Sequence, residues 1–225
     1  MPKDALPPDL SDAVGDYLKA IWTLSREGPA TTNGVAAALG FTPASVSGML
    51  GRLSDAGLVR HVRYRGATLT DRGRREALRL VRRHRLVETF MIQRLGYGWD
   101  EVHDEAEAIE HAISDRFAER LAELLGHPSH DPHGDPIPRS DGSLPDTPDR
   151  PLAELSDGAR LRVARLRSQD ADVLGHLASL GIEPGADVAV VGREPRGGVL
   201  QLRVGERRCA LSRELAEIVR GEVRT

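Results

Sequence analysis

The chain is poor in sulfur and has no membrane-like stretch. Its 225 residues include one cysteine, Cys209, which excludes an intramolecular disulfide framework and a cysteine-based zinc site. The N-terminal M-P-K-D-A-L-P-P-D-L has no apolar core of a signal sequence, and no run approaches the ~20 apolar residues of a membrane span. A cytoplasmic protein with no membrane partner is expected. An H-E-x-x-H motif and the paired E-x-x-H pattern of di-iron bundles are also missing, which leaves a metalloenzyme as a less favoured alternative.

The net charge of −3 argues weakly against a nucleic-acid partner, but the average hides an asymmetry. Between Gly48 and Leu86 lie eleven arginines, opposed only by Asp55, Asp71 and Glu76. From Gly98 to Pro136 eleven acids, Asp100 to Asp135, face only Arg116 and Arg120. A basic segment followed by an acidic one suggests one region for a polyanion and another for a cation, although part of each is solvated helix face.

The apolar pattern gives the architecture. Ser11 is a candidate cap for a helix carrying Val14, Leu18, Ile21 and Trp22, ended by Gly28-Pro29. A short helix over Asn33–Leu39 and a second opened by Thr42-Pro43, carrying Val46, Leu50 and Leu53, read as helix-turn-helix. Alternation on both sides of Tyr64-Arg65-Gly66 predicts a hairpin, the wing. A long helix follows from Arg72 to about Leu95, capped by Thr70 or Asp71. An acidic helix starts at Asp100, and another is capped by Ser114-Asp115. His127 to Pro151 is rich in Pro, Asp, Gly and Ser and reads as a linker, and alternating segments after Leu152 predict a small β-barrel.

The chemistry is concentrated in H-D-E-A-E-A-I-E-H, His103 to His111. Helical spacing places His103, Glu107, Glu110 and His111 on one stripe. Carboxylates and imidazoles so close stay hydrated, or share a divalent cation, for which oxygen plus neutral imidazole is a fitting donor set. A solvated acidic face is the plainer alternative. A second half-site, His84-x-x-x-Glu88, favours metal. So does D-P-H-G-D-P-I-P from Asp131, with acids and a histidine inside a proline-rich stretch.

These motifs, in this order after a winged helix, resemble the diphtheria toxin repressor family of metal-dependent transcription regulators. The resemblance spans almost the whole chain. Its most specific pieces are R-R-H-R-L-V-E-T-F from Arg82, V-H-D-E-A-E-A-I-E-H-A-I-S-D from Val102, and D-P-H-G-D-P-I-P. It implies an α+β chain in four parts. These are a winged helix-turn-helix over 1–74, an all-helical metal-binding and dimerisation domain over 75–138, a linker over 139–151, and an SH3-like, FeoA-like β-barrel over 152–225. It implies a primary metal site at Asp16, Glu107, Glu110 and His111. An ancillary site would use His84, Glu88, His103, Asp131 and His133, with a barrel residue near Asp170 (Gln169 and Asp172 being alternatives) to complete it. Lys19 stands where a barrel-less manganese regulator has a further glutamate, so two separate mononuclear sites are expected.

For DNA the candidates are Thr42, Ala44, Ser45, Ser47 and Arg52 at the recognition helix, and Arg60, Arg63 and Arg65 in the wing. Gly48 takes the place of a base-reading glutamine of the iron-responsive relatives, so a different operator is expected. The resulting expectation is a homodimeric repressor, not an enzyme, that binds a palindromic double-stranded operator when loaded with Mn2+. Two primary-site positions that carry sulfur in the iron-responsive branch are Asp16 and Glu107 here. Fe2+ is the alternative activator, and other divalent ions are expected to be able to bind in vitro. No small organic substrate is expected, and an organic-effector regulator is a more remote reading.

Overall fold

The computed structural model describes residues 12–25, 28–62, 65–98, 101–194 and 198–224. Among them the chain forms two compact units. The first runs to Arg83 and takes in Pro138–Gly142. The second comprises His84–Ile137 and the chain from Ser143. The expected cap Ser11 lies outside the described residues.

In the first unit, α1 (Asp12–Leu24), α2 (Thr32–Leu39) and α3 (Pro43–Asp55) precede a hairpin of β1 (Val59–Val62) and β2 (Gly66–Leu69). The side chain of Thr31 accepts from Gly34 N and that of Thr42 from Ser45 N, satisfying amides that a helix start leaves open. Gly40, at φ 69°, closes α2 and makes the turn of the helix-turn-helix. Leu18, Ile21, Val35, Val46, Leu50, Leu58 and Ala67 form the core beneath it. Ala30 bridges Ala67, so the wing carries a stub of third strand. Gly66 is required there: its φ is +89°, and a Cβ would sit 2.6 Å from the Ala30 oxygen. Thr70 accepts from Gly73 N and starts α4 (Asp71–Phe90).

The second unit begins within α4. Past Phe90 the helix widens into a π turn, Met91–Leu95, and stops at Gly96. There follow α5 (Val102–Ile109) and α6 (Asp115–Leu124), the latter capped by Ser114. Leu86, Val87, Met91, Val102, Ala106, Ala118, Leu121, Ala122 and Ile137 pack together. The acidic helix is shorter than its sequence suggests. Glu110 keeps helical angles (φ −56°, ψ −31°) as the cap. Ala112 N then bonds to Ile109 O, three residues back, and tightens the chain into a turn that contains His111.

The rest is a six-stranded antiparallel sheet, ordered β3-β8-β4-β5-β6-β7. Its strands are β3 (Arg150–Pro151), β4 (Arg160–Leu166), β5 (Asp187–Arg193), β6 (Leu200–Val204), β7 (Arg207–Leu211) and β8 (Val219–Arg224). Helices α7 (Ala171–Ser179) and α8 (Arg213–Ile218) interrupt it. Register breaks at Val163/Arg165 and Val190/Gly192 mark bulges, which bend such sheets. The inward side chains, among them Leu161, Val163, Val188, Val190, Leu200, Leu202 and Val219, form a core with Leu152, Leu174, Leu177 and Ile182. Cys209 packs half-buried against it.

Among the described residues no single helix is long and apolar enough to cross a membrane. The α2–α3 pair passes such a test jointly, by length and composition, but is bent by 108°. Its apolar residues Val35, Val46 and Leu50 are spent on the core.

Candidate metal centre

Helix α4 presents His84 and, one turn on, Glu88. Both are nearly inaccessible to solvent, at 5% and 3% exposure. His84 Nε2 lies 3.0 Å from Glu88 Oε1 and 3.1 Å from His103 Nδ1 on α5. Its other nitrogen, Nδ1, is 2.5 Å from Glu110 Oε2. Glu110 is completely buried. His111 Nε2 lies 3.6 Å from Glu110 Oε1, and His103 Nε2 lies 3.6 Å from Glu107 Oε1. Donor atoms converge within 4.8 Å in His84–Glu88–His103, in His84–Glu107–Glu110 and in Glu88–Asp131–His133. The α4 half-site and the α5 stripe therefore meet around one imidazole.

The D-P-H-G-D-P-I-P segment supplies Asp131 and His133 through a tight turn. Asp131 Oδ1 accepts from the amides of His133 and Asp135, each at 2.9 Å. Its Oδ2 faces Arg85 Nε at 3.3 Å. Arg85 also donates to Pro136 O at 2.5 Å. Strand β4 holds the turn from the other side, with Leu166 N donating to His133 O at 2.9 Å. Gly134 permits this approach: its φ is +84°, and a Cβ would lie 1.9 Å from the Ala164 oxygen. His133 Nδ1 is 3.9 Å from Glu88 Oε2.

Burial alone would push the Glu88 carboxyl up. The charge on His84, hydrogen bonds from His103 and His84, and the charge on His133 outweigh it and hold Glu88 far below the usual carboxylate range. Asp131 goes the other way. Burial pushes it up to about 7, and Asp135 and Glu88 add to this against Arg85 and His133. Buried carboxylates need a positive partner. Asp131 has a guanidinium, while Glu88 and Glu110 have histidines, which give their lone pairs to a cation as readily as they take a proton. Oxygen and imidazole donors at these separations fit a divalent first-row ion.

Not every candidate joins these groups. Asp170 is exposed and caps α7, accepting from Val173 N at 3.1 Å. The structure does not bring it to Asp131 and His133, because a helix start claims its carboxylate. Gln169 and Asp172 are exposed too. Asp16 is half-buried on α1, in the first unit. Three charged residues have a role here that the sequence motifs do not assign. Arg85, Asp135 and Arg165 form a buried ionic chain beside Asp131, with Arg165 Nη1 3.5 Å from Asp135 Oδ1 and Arg165 Nε 3.3 Å from Asp149 Oδ1. In sequence Arg85 is one member of an arginine run and carries no mark of burial.

On the DNA side, Thr42, Ala44, Ser45, Ser47 and Arg52 are exposed on and before α3, and Arg60 and Arg65 are exposed on the hairpin. Arg63 lies outside the described residues. At Gly48 an added Cβ would meet nothing within 4 Å, so the outer face of α3 is open there.

Three family models tile the chain. Residues 9–67 match "Iron dependent repressor, N-terminal DNA binding domain". Residues 70–139 match "Iron dependent repressor, metal binding and dimerisation domain", and residues 150–223 match the FeoA domain. The iron-dependent repressor IdeR of Mycobacterium leprae is 31% identical over 95% of this chain and 98% of its own length. The chain belongs to the diphtheria toxin repressor family. The diphtheria toxin repressor of Corynebacterium diphtheriae is 31% identical, over 83% of this chain and 87% of its own. Among solved structures, a manganese-dependent transcriptional repressor in complex with manganese is 41% identical with a TM-score of 0.87, covering 92% of this chain and 97% of that one. ScaR with bound Zn2+ is 31% identical with a TM-score of 0.82, covering 93% of this chain and 98% of that one. As a member of this family the protein is a dimeric, DNA-binding, metal-responsive transcriptional repressor, and its relatives are regulators rather than enzymes.

Proposed function

We propose that the activating ion is manganese, and that the loaded dimer binds a palindromic operator in the cytoplasm. One observation carries the choice of metal: the converging donors on α4, α5 and the Asp131–His133 turn are carboxylate oxygens and imidazole nitrogens, with no sulfur among them. Manganese is a hard ion at the weak end of the divalent series, so selectivity rests on oxygen-rich coordination rather than affinity. Similarity to a repressor solved with manganese supports the same reading. The mycobacterial IdeR relatives, iron-dependent by name, keep ferrous iron as the second reading.

Glu107, Glu110 and His111 would hold the primary ion, with Asp16 added on the strength of the family resemblance alone. His84, Glu88, His103, Asp131 and His133 would hold the second. A bound divalent cation supplies the positive charge that lets these carboxylates stay ionised together. The protein's residues do the rest. Thr42 fixes the start of the recognition helix, Ala44, Ser45 and Ser47 face the groove, and Arg52, Arg60, Arg63 and Arg65 meet phosphates. Metal changes operator affinity only so far as it binds the DNA-competent state better, about 1.4 kcal/mol per tenfold.

The deciding experiment titrates operator binding with Mn2+, Fe2+ and Zn2+ at fixed salt. Activation by Mn2+ at a free concentration no higher than Fe2+ requires is expected. Activation by Fe2+ alone would overturn the choice of metal. A second arm inverts one half of a palindromic site, which should abolish tight binding by the dimer.

A further inference from the structure

The outer face of the C-terminal sheet carries a row of arginines with no established role. The strand registers align Arg224 on β8 with Arg160 on β4, Arg160 with Ala189 on β5, Ala189 with Arg203 on β6, and Arg203 with Arg208 on β7. All four arginines are exposed, and they alternate with buried residues such as Leu161 and Leu202. The row is thus the solvent side of five neighbouring strands.

Like charges directly opposite on paired strands repel and destabilise a sheet. Sheets therefore tend to set acids beside them, and the adjoining row does so. There Arg162 is flanked in register by Asp187 and Glu222, with an Arg162–Asp187 ion pair of 2.6 Å. In the arginine row, Arg224 is paired with Glu222 at 2.8 Å. Arg160, Arg203 and Arg208 form no ion pair with any described residue. On the other side the aligned residues are Gln201 and Ala210, which are uncharged. Repulsion is concentrated in one line, and of its four arginines only Arg224 has an acid beside it among the described residues.

We propose that this row is a second polyanion-binding surface, and that its partner is the phosphate backbone of duplex DNA outside the segment read by the winged helix. Neighbouring strands lie ~4.8 Å apart, and phosphates on one DNA strand advance by ~3.4 Å along the axis. Successive arginines can thus each meet a different phosphate. Every charged residue of the row is an arginine, whose planar fork matches phosphate oxygens two at a time. Small Ala189 at its centre leaves the middle of the row low. The reading rests on the chain being a DNA-binding protein, but not on the metal or on the operator.

The test compares the metal-loaded full chain with Arg203→Gln/Arg208→Gln on a duplex extending well beyond the operator. Neither residue forms an ion pair with any described residue, so the fold is expected to persist, and Arg162→Gln serves as the control from the neutralised row. Each lost phosphate contact reduces the steepness of log affinity against log salt by ~0.9. The double variant should therefore lose about 1.8 from that slope for each protomer of the dimer whose row is engaged, weaken binding equally for all flanking sequences, and keep its metal dependence, while Arg162→Gln matches the parent. A slope equal to the parent's overturns the proposal. So does an unchanged slope with lost retention on immobilised polyglutamate, which reassigns the row to an acidic polypeptide. Loss of metal dependence in the parent itself would count against the repressor reading above and leave the slope comparison standing.

Discussion

The two cores of the second unit are built by opposite rules. The core of the sheet is an apolar cluster, from Leu152 to Val219, that alternation along the strands is enough to form, and the buried Arg165 of β4 joins the ionic chain beside Asp131 instead. The helical core pairs Leu86, Val102 and Ala106 with buried His84, Arg85, Glu88 and Glu110. Apolar burial stabilises the first without conditions. The second bears desolvated charges that the proposed ions would complete, so its stability should answer to metal. A sensor needs one part that is indifferent to its signal and one that is not.

The largest effect should come from breaking the conditional core at its proposed ligands. In Glu110→Ala/His111→Ala, the metal-dependent gain in operator affinity, on the order of 5–150-fold for an allosteric effector, should vanish while the dimer persists. Electrophoretic shifts with and without metal check this, and a normal metal response would show the primary site misplaced. The unconditional core is tested by Leu202→Ala, which should cost about 2–5 kcal/mol with or without metal. A cost that metal offsets would erase the contrast between the cores.

Gly134→Ala probes the seam between them. Its new Cβ would lie 1.9 Å from the Ala164 oxygen at a φ of +84°, for a strain of about 1–3 kcal/mol. The turn should leave β4 and the protein should lose one of two bound metal ions, counted by calorimetry. Retention of both would separate the turn's position from the second site.

A smaller change is expected from Asp16→Met/Glu107→Cys, in which operator binding shifts toward Fe2+. Equal Mn2+ activation of parent and variant would show that these two residues do not set the choice. The smallest effect is a proton. Asp131, pushed up to about 7, is largely protonated in the metal-free fold below that pH. Its raised value favours folding below the ordinary aspartate range, and that contribution fades as pH rises through about 7. Metal binding should release this proton increasingly as pH falls from 8 to about 6, read by calorimetry in buffers of different ionisation enthalpy. Release that does not vary with pH would remove Asp131 from the ligand set.

The sequence alone was enough for what repeats with a period or is marked by a cap. Threonines and glycines bounded the helix-turn-helix, and Leu161/Val163 and Leu200/Leu202 alternated visibly. The i, i+4 pairs His84–Glu88 and His103–Glu107 announced a metal because local helical geometry alone makes them neighbours. Only the tertiary structure decided which pairs share a site. His84 turns one nitrogen toward Glu110 and the other toward Glu88 and His103, across gaps in sequence that no period spans. Likewise, only the fold could bury Arg85 against Asp131, turn Asp170 into a helix cap, and align Arg160, Arg203 and Arg208 in one row. Burial and register belong to the packing of distant segments, and an arginine in a basic run looks the same in sequence whether it meets water, a carboxylate or another arginine.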